Sequence, residues 1–124
     1  MQHPRRTSIL IVEDDVSLLG ALVFALEAEG FAVHAYGHGA PLLSAPIDAD
    51  CMVVDMRLPD TDGLTLISRL RERGHWMPAI LTTTNPDDRT RRAAEALGVR
   101  IVEKPLITEE LRRRIDELVA ANRH

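Results

Sequence analysis

Apolar residues alternate along the chain between two patterns. Five short runs rich in β-branched and aliphatic residues have the length of strands: Ser8-Ile9-Leu10-Ile11-Val12, Phe31 to Tyr36, Cys51-Met52-Val53-Val54-Asp55, Ala79-Ile80-Leu81-Thr82 and Val99-Arg100-Ile101-Val102. Between them apolar positions recur every three or four residues, the spacing of one helix face. Capping residues mark the limits. Asp15 opens a helix from Val16 to about Glu29 that Gly30 closes, and Asp62 opens one through Leu64, Ile67 and Leu70 that Gly74 closes. Gly37-His38-Gly39-Ala40-Pro41 leads into a short helix over Leu42 and Leu43, ended by Pro46. Asn85-Pro86-Asp87-Asp88 predicts another start, with Asn85 as cap, a first-turn proline, and two acids at the positive end of the helix dipole; that helix ends at Gly98. Thr108-Glu109-Glu110 opens the last helix, with Leu111, Ile115 and Leu118 at core spacing.

Five βα units with near-continuous apolar strands imply a parallel sheet covered by helices on both faces. Right-handed crossovers favour the α/β flavodoxin-like order 2-1-3-4-5, a doubly wound (βα)5 sandwich. No linker, repeat or low-complexity tract interrupts the pattern, so the expectation is one domain over residues 1–124 with its core at about 8–121. In such sheets function lies at the carboxyl ends of the strands, near the switch point between strands one and three.

One residue breaks the apolar pattern. In "VVDMRLPDTDG", Asp55 directly follows Met52-Val53-Val54, although burying an unpaired carboxylate is expensive. Strand one ends in Glu13-Asp14, so if strands one and three are neighbours, three carboxylates meet at one rim. Like charges this close repel unless a cation lies between them, and oxygen donors suit a hard divalent ion, most simply Mg²⁺. Lys104 after strand five adds a positive charge to the same rim, and Thr83 after strand four adds a hydroxyl. Singly these are ordinary features: an acid pair caps a helix, and a strand-end threonine follows β-propensity. Their shared location is what points to a site.

Composition narrows the function classes. A net charge of −4 and 3% aromatic residues give neither the basic stripe nor the stacking platform of a direct nucleic-acid binder. The apolar stretch 16–26 is too short to span a bilayer and follows three acids instead of a basic flank, so neither a membrane span nor a signal peptide is expected. Cys51 is the single cysteine, which excludes an internal disulfide and fits a reducing cytoplasm. No GxGxxG or GxxxxGK[ST] loop follows a strand. His34 and His38 are separated by Tyr36-Gly37 and cannot align on a helix as a metal pair.

The motifs "ILIVEDD", "VVDMRLPDTDG", "PAILTTTN" and "VEKPL", in this order and spacing, closely resemble those of response-regulator receiver domains, the CheY-like phosphoacceptor half of two-component signalling. The resemblance runs from Ile9 to about Leu118. It implies that Asp55 is phosphorylated from a phosphohistidine of a sensor kinase or phosphotransfer protein, and that Glu13 and Asp14 organise Mg²⁺, with Asp14 the direct ligand. It further implies that Arg57 offers its backbone carbonyl to the metal, and that Thr83 and Lys104 bind the phosphoryl group, with Thr82 a rival to Thr83 by spacing. The Lys104–Pro105 bond is typically cis in the family. The chain would then be a signalling switch and no enzyme beyond assisting its own phosphorylation and dephosphorylation, acting on a downstream protein target or as a self-dimer. Ending soon after its fifth helix, it would be a stand-alone receiver or an excised domain.

Three positions depart from the family pattern. Ile101 stands where an aromatic is frequent, Thr84 where a small residue is usual, and the segment from Gly98 to Lys104 looks one residue short. Arg57, Thr84 and Asn85 flank the route of an attacking water and are expected to tune the phosphoryl lifetime. Two alternatives compete: a degenerate receiver serving as a scaffold, and a phosphatase of the haloacid-dehalogenase type, which needs a second acid where Arg57 stands. Arg89, Arg91, Arg92 and Arg112-Arg113-Arg114 read as solvated helix faces or as dimer charge pairs. On the first helix, Leu18, Ala21, Leu22, Ala25 and Leu26 form the predicted core face. Leu19, Gly20, Val23 and Phe24 face away, and Leu19, Val23 and Phe24 are the expected partner surface, where family members dock kinase or phosphotransfer helices.

Overall fold

The computed structural model describes residues 6–45 and 48–122. Strands β1 (Ser8–Val12), β2 (Ala32–Tyr36), β3 (Cys51–Asp55), β4 (Ala79–Thr83) and β5 (Arg100–Glu103) alternate with helices α1 (Val16–Ala28), α2 (Ala40–Ser44), α3 (Gly63–Glu72), α4 (Asp88–Ala96) and α5 (Thr108–Asn122). The five strands form one parallel sheet of order β2-β1-β3-β4-β5. No described helix is long and apolar enough to cross a membrane.

Strand alternation divides the core into two layers. Ile9, Ile11, Cys51, Val53, Ile80 and Val102 meet Leu22 and Leu26 of α1 and Leu111, Ile115 and Val119 of α5. Leu10, Val12, Met52, Val54 and Leu81 meet α2, α3 and α4 through Leu42, Leu66, Ile67, Leu70 and Ala94. Complete burial of such a leucine or isoleucine contributes about 1.5–3 kcal/mol. The three central strands are therefore apolar on both faces, as their sequences required.

Asp15 and Asp62 cap α1 and α3 as predicted, accepting the Leu18 N–H at 3.0 Å and the Thr65 N–H at 2.8 Å. The cap of α4 is different: Asp87, not Asn85, accepts the Thr90 N–H, at 2.8 Å. Asn85 lies in the left-handed region, at φ 45, which asparagine tolerates better than most side chains. Pro86 accordingly precedes the helix. Strands two and five each begin one residue later than predicted, for a common reason. Gly30 and Gly98 have positive φ, and the next amides, of Phe31 and Val99, donate back to Leu26 O and Ala94 O at 3.1 and 2.8 Å. These are helix-terminating bonds, sealed by apolar contact, so Phe31 and Val99 close a helix instead of opening a strand. In α5 the third buried position is Val119, four residues beyond Ile115, while Leu118 is half-buried. Pro46 lies outside the described residues.

Helix α1 buries most of its predicted core face, with Leu22 and Leu26 buried and Leu18 and Ala25 half-buried, but two positions differ. Ala21 is exposed, whereas Leu19 is half-buried against the α1/α5 core layer, beside Leu18 and Leu118. A helix apolar on every side has no pattern that fixes its phase, so packing against β2 and α5 decides it. Leu19 therefore leaves the predicted partner surface. Val23 is half-buried, and Phe24, with 78% of its area exposed, stays outside with Val16 at 83%.

Gly63 holds α3 against β3. A Cβ there would lie 2.5 Å from the Asp55 carbonyl oxygen and 2.7 Å from Leu81 Cδ1. Gly20 lies within α1, and a methyl group added there would meet nothing within 4 Å. Gly20→Ala should therefore stabilise by about 0.5–1 kcal/mol through helix propensity. Gly63→Ala should destabilise by about 1–3 kcal/mol through overpacking. Urea denaturation of both variants checks the opposite signs; equal shifts would contradict the packing argument.

Candidate functional site

The carboxyl ends of β1, β3, β4 and β5 meet at one rim. Because β1 and β3 are neighbours, Glu13 and Asp14 come beside Asp55, and the three carboxylates offer ligand oxygens all within 4.8 Å of one another. Glu13 and Asp55 are buried and Asp14 is exposed. Glu13 has both oxygens engaged: Oε2 accepts the Asp15 N–H at 3.1 Å, and Oε1 accepts from Lys104 Nζ at 2.9 Å. The same ammonium lies 3.2 Å from Asp55 Oδ1. Lys104 thus partly offsets the repulsion that clustering creates.

Lys104 reaches this place from the strand beyond β4. Its backbone N–H donates to Thr83 O at 2.8 Å, and the Lys104–Pro105 bond is cis. Burial pulls its ammonium pKa down, but the hydrogen bonds and negative charges of Glu13 and Asp55 outweigh burial and hold it above the ordinary value.

An open cleft of about 420 Å³ beside the acids is lined by Asp55, Arg57, Thr83, Thr84, Asn85 and Lys104. Thr83 lines it; Thr82 pairs with Asp55 inside the sheet, is 2% exposed, and does not. Arg57, Thr84 and Asn85 are exposed at the mouth. Ile101 is half-buried against the α3/α4 core layer.

The oxygen-only donor set fits a hard divalent cation. Glu13, with each oxygen already accepting a protein hydrogen bond, is suited to orienting the site, while exposed Asp14 is suited to direct ligation. Among the described residues no other group of three acids, histidines or cysteines converges in this way. His34 and His38 take no part. Burial, with Asp50 adding to it, pushes the Cys51 thiol up to about 12, so it is no thiolate nucleophile at neutral pH.

The family model described as the response regulator receiver domain matches residues 9–116. The chain belongs to this family. Among curated relatives, the transcriptional regulatory protein FixJ of Azorhizobium caulinodans is 34% identical over 105 residues, covering 82% of this chain and 50% of that protein. The transcriptional regulatory protein BasR of Escherichia coli strain K12 is 33% identical over 115 residues, covering 90% of this chain and 51% of BasR. The chain spans about half the length of these relatives. A CheY-like receiver domain from Methanospirillum hungatei JF-1 superposes with a TM-score of 0.86 at 22% identity, over 94% of this chain and 96% of that one. The receiver domain of an HD domain-containing protein from Pseudomonas fluorescens Pf-5 gives 0.84 at 26% identity, over 94% and 97%. Receiver domains are signalling switches, generally not enzymes.

Two contributors escaped the sequence reading. Gly63 was legible only as a residue after a cap, because its close approach to Asp55 is tertiary. Asp60, in the loop after β3, accepts the Gly39 and Ala40 N–H groups at 3.0 and 2.7 Å. Nothing in the local sequence links positions twenty apart. Three of the six highlighted arginines make ion pairs among the described residues: Arg91 with Glu103 at 2.6 Å, Arg114 with Glu117 at 3.4 Å, and Arg112 with Glu29, Glu109 and Asp116.

The raised pKa of Lys104 has a definite sign for stability. Its contribution is fully present below the ordinary lysine value of 10.5 and fades as pH rises through the higher folded-state value. Denaturation followed through the single tryptophan, Trp76, should show stability falling across that alkaline window. Lys104→Met should flatten the fall; an unchanged slope would show that the ammonium is not coupled to folding.

Proposed function

We propose that the chain is a phosphoacceptor switch in which Asp55 receives a phosphoryl group from a phosphohistidine of a sensor kinase or phosphotransfer protein. The observation that carries this reading is the placement of one ammonium, Lys104 Nζ, within 3.2 Å of Asp55 and 2.9 Å of Glu13 beside an exposed third acid. An Asp55 oxygen attacks phosphorus, the P–O bond forms as the P–N bond breaks, and the released imidazole nitrogen keeps the electron pair and takes a proton. Lys104 stabilises charge on the transferring oxygens, and the Thr83 hydroxyl donates to one of them in the product. Glu13, Asp14, Asp55 and the Arg57 carbonyl would hold Mg²⁺, which when bound neutralises charge on the phosphoryl oxygens. The product is an acyl phosphate that water cleaves, and Arg57 and Thr84 at the cleft mouth shield it, while Asn85 can orient the water.

With acetyl phosphate or phosphoramidate, Asp55 should be the labelled residue and labelling should need Mg²⁺. Intact-mass analysis checks this: Asp55→Asn and EDTA should each abolish the label, and full labelling of either would sink the reading. Lys104→Ala should leave Mg²⁺ affinity intact or slightly improved, since a repelling cation is removed. Arg57→Ala and Thr84→Ala should lose the label faster than the parent.

Of the expected partner residues on α1, Leu19 packs against the core layer while Phe24 is exposed. Phe24, Val16 and the exposed Gly20 share one stripe at four-residue spacing, with Val23 at its edge, on a helix that starts directly after Glu13-Asp14-Asp15. We infer that this stripe docks a helix of the phosphodonor protein, or of a second copy. Burying Phe24 can contribute about 1.5–3 kcal/mol before ordering costs. Phe24→Arg should slow transfer from a phosphohistidine protein at least tenfold, on the order of 1.4 kcal/mol, while small-donor labelling continues. Equal rates from the protein donor, with the variant folded, would remove α1 from the interface.

A further inference from the structure

We propose that Asp60 is a positioning residue for the acceptor site, acting by clamping the loop after β3 to the first turn of α2. The inference rests on the reading of Asp55 as phosphoacceptor and of the Arg57 carbonyl as a metal donor. The loop leaves the sheet directly after Asp55 and returns at α3. Its base is closed by three backbone interactions: Gly63 N–H to Met56 O at 2.8 Å, Leu58 N–H to Thr61 O at 3.1 Å, and an antiparallel bridge between Arg57 and Asp62. These bonds tie the loop only to itself and its ends. They leave its tip, at Pro59 and Asp60, to be placed by something else.

Asp60 supplies that placement. Its Oδ1 accepts the Gly39 N–H at 3.0 Å and its Oδ2 accepts the Ala40 N–H at 2.7 Å. One carboxylate thus takes two helix-start donors, each on its own oxygen, from a different βα unit. The amide of Gly39 is the largest of the influences that hold the Asp60 carboxyl below the usual range. Packing places the same two segments together: a Cβ on Gly39 would come within 3.1 Å of Leu66 Cδ1 and 3.2 Å of Thr61 Cγ2. The β2–α2 turn therefore lies close under the loop, where any side chain larger than glycine would need Leu66 and Thr61 to shift by a few tenths of an ångström. The far side of this loop carries Arg57 to the cleft shared with Asp55, Thr84 and Lys104. A residue that fixes the tip limits how far the Arg57 backbone can swing from the acids.

A cap serving α2 alone and a clamp serving the acceptor loop predict different results. In metal-free protein, Asp60→Ala should lower hydrogen-exchange protection at Gly39 and also at Leu58, roughly tenfold, while the Gly63 amide stays protected. Calorimetric titration should show the Mg²⁺ dissociation constant rising roughly three- to tenfold. The labelling rate of Asp55 at saturating Mg²⁺ should stay within about twofold of the parent. Asp60→Asn, which keeps one acceptor oxygen, should fall between, and it carries the test if Asp60→Ala fails to fold. Lost protection at Gly39 with unchanged Leu58 exchange and unchanged Mg²⁺ affinity would make Asp60 a helix cap only and overturn the proposal. Failure of the underlying reading looks different: the parent protein would take no label at Asp55, whatever happens at Asp60.

Discussion

Three carboxylates within 4.8 Å and one ammonium among them are the interaction on which the rest of this structure depends. No single element could assemble it. Glu13 and Asp14 need β1 to lie beside β3, which the order β2-β1-β3-β4-β5 provides. Lys104 comes from β5, separated from β3 by β4, so its side chain must span the end of an intervening strand. The backbone bond from Lys104 to Thr83 sets the height from which it does so. Apolar packing on both faces pins the strands at a register where these ends coincide. A one-residue slip of β3 would turn Asp55 to the other face of the sheet.

Much of this was legible in the sequence because the signals were local or repeated. Asp15 and Asp62 declare their helices through a capping oxygen that reaches only three residues ahead. Apolar strands such as Cys51–Asp55 are bounded by polar turns, and the strand order followed from chirality. What failed was information held by tertiary contact. The edge of the α1 core face, at Leu19 and Ala21, was misread because Leu, Val, Ala and Phe occupy every side of that helix. Asn85 and Asp87 were both competent caps, and only the left-handed backbone at Asn85 separates them. The first residues of β2 and β5 were misassigned because β-branched or aromatic identity reads as strand, whereas Phe31 and Val99 spend their amides on the preceding helix. The acid cluster was legible as residues and spacing, whereas the division of labour within it came only as an implication of the family resemblance, and its physical footing is the two hydrogen bonds on Glu13.

The two faces of the sheet contribute to the site unequally. On the α1 and α5 side the acids arrive on a well-packed layer, with Leu22, Leu26, Leu111 and Ile115 at or near complete burial. On the other side, α4 buries only Ala94 of its own residues, and its N-cap Asp87 lies two residues beyond the cleft residues Thr83, Thr84 and Asn85. A segment with few buried apolar contacts opens at low free-energy cost. Ile101, packed against this layer without an aromatic ring to reorient, would under the proposed function shift the response toward the loop after β4 and the start of α4.

Under the proposed function, the energy available to such a response is set by what Lys104 already does. Its ammonium bonds Glu13 and Asp55 in the unmodified chain, so a phosphoryl group on Asp55 would not create a cation contact where none existed. It would exchange one carboxylate partner for another anion, and only the difference between the two states can shift a conformational equilibrium. Thr83 stands differently. Its hydroxyl makes no side-chain hydrogen bond among the described residues, yet the residue lines the cleft beside Asp55. A new acceptor oxygen there would give Thr83 a bond it lacks, while Lys104 merely re-divides bonds it has. The larger differential therefore falls on the threonine, and through its chain neighbours Thr84 and Asn85 on the segment that leads into α4.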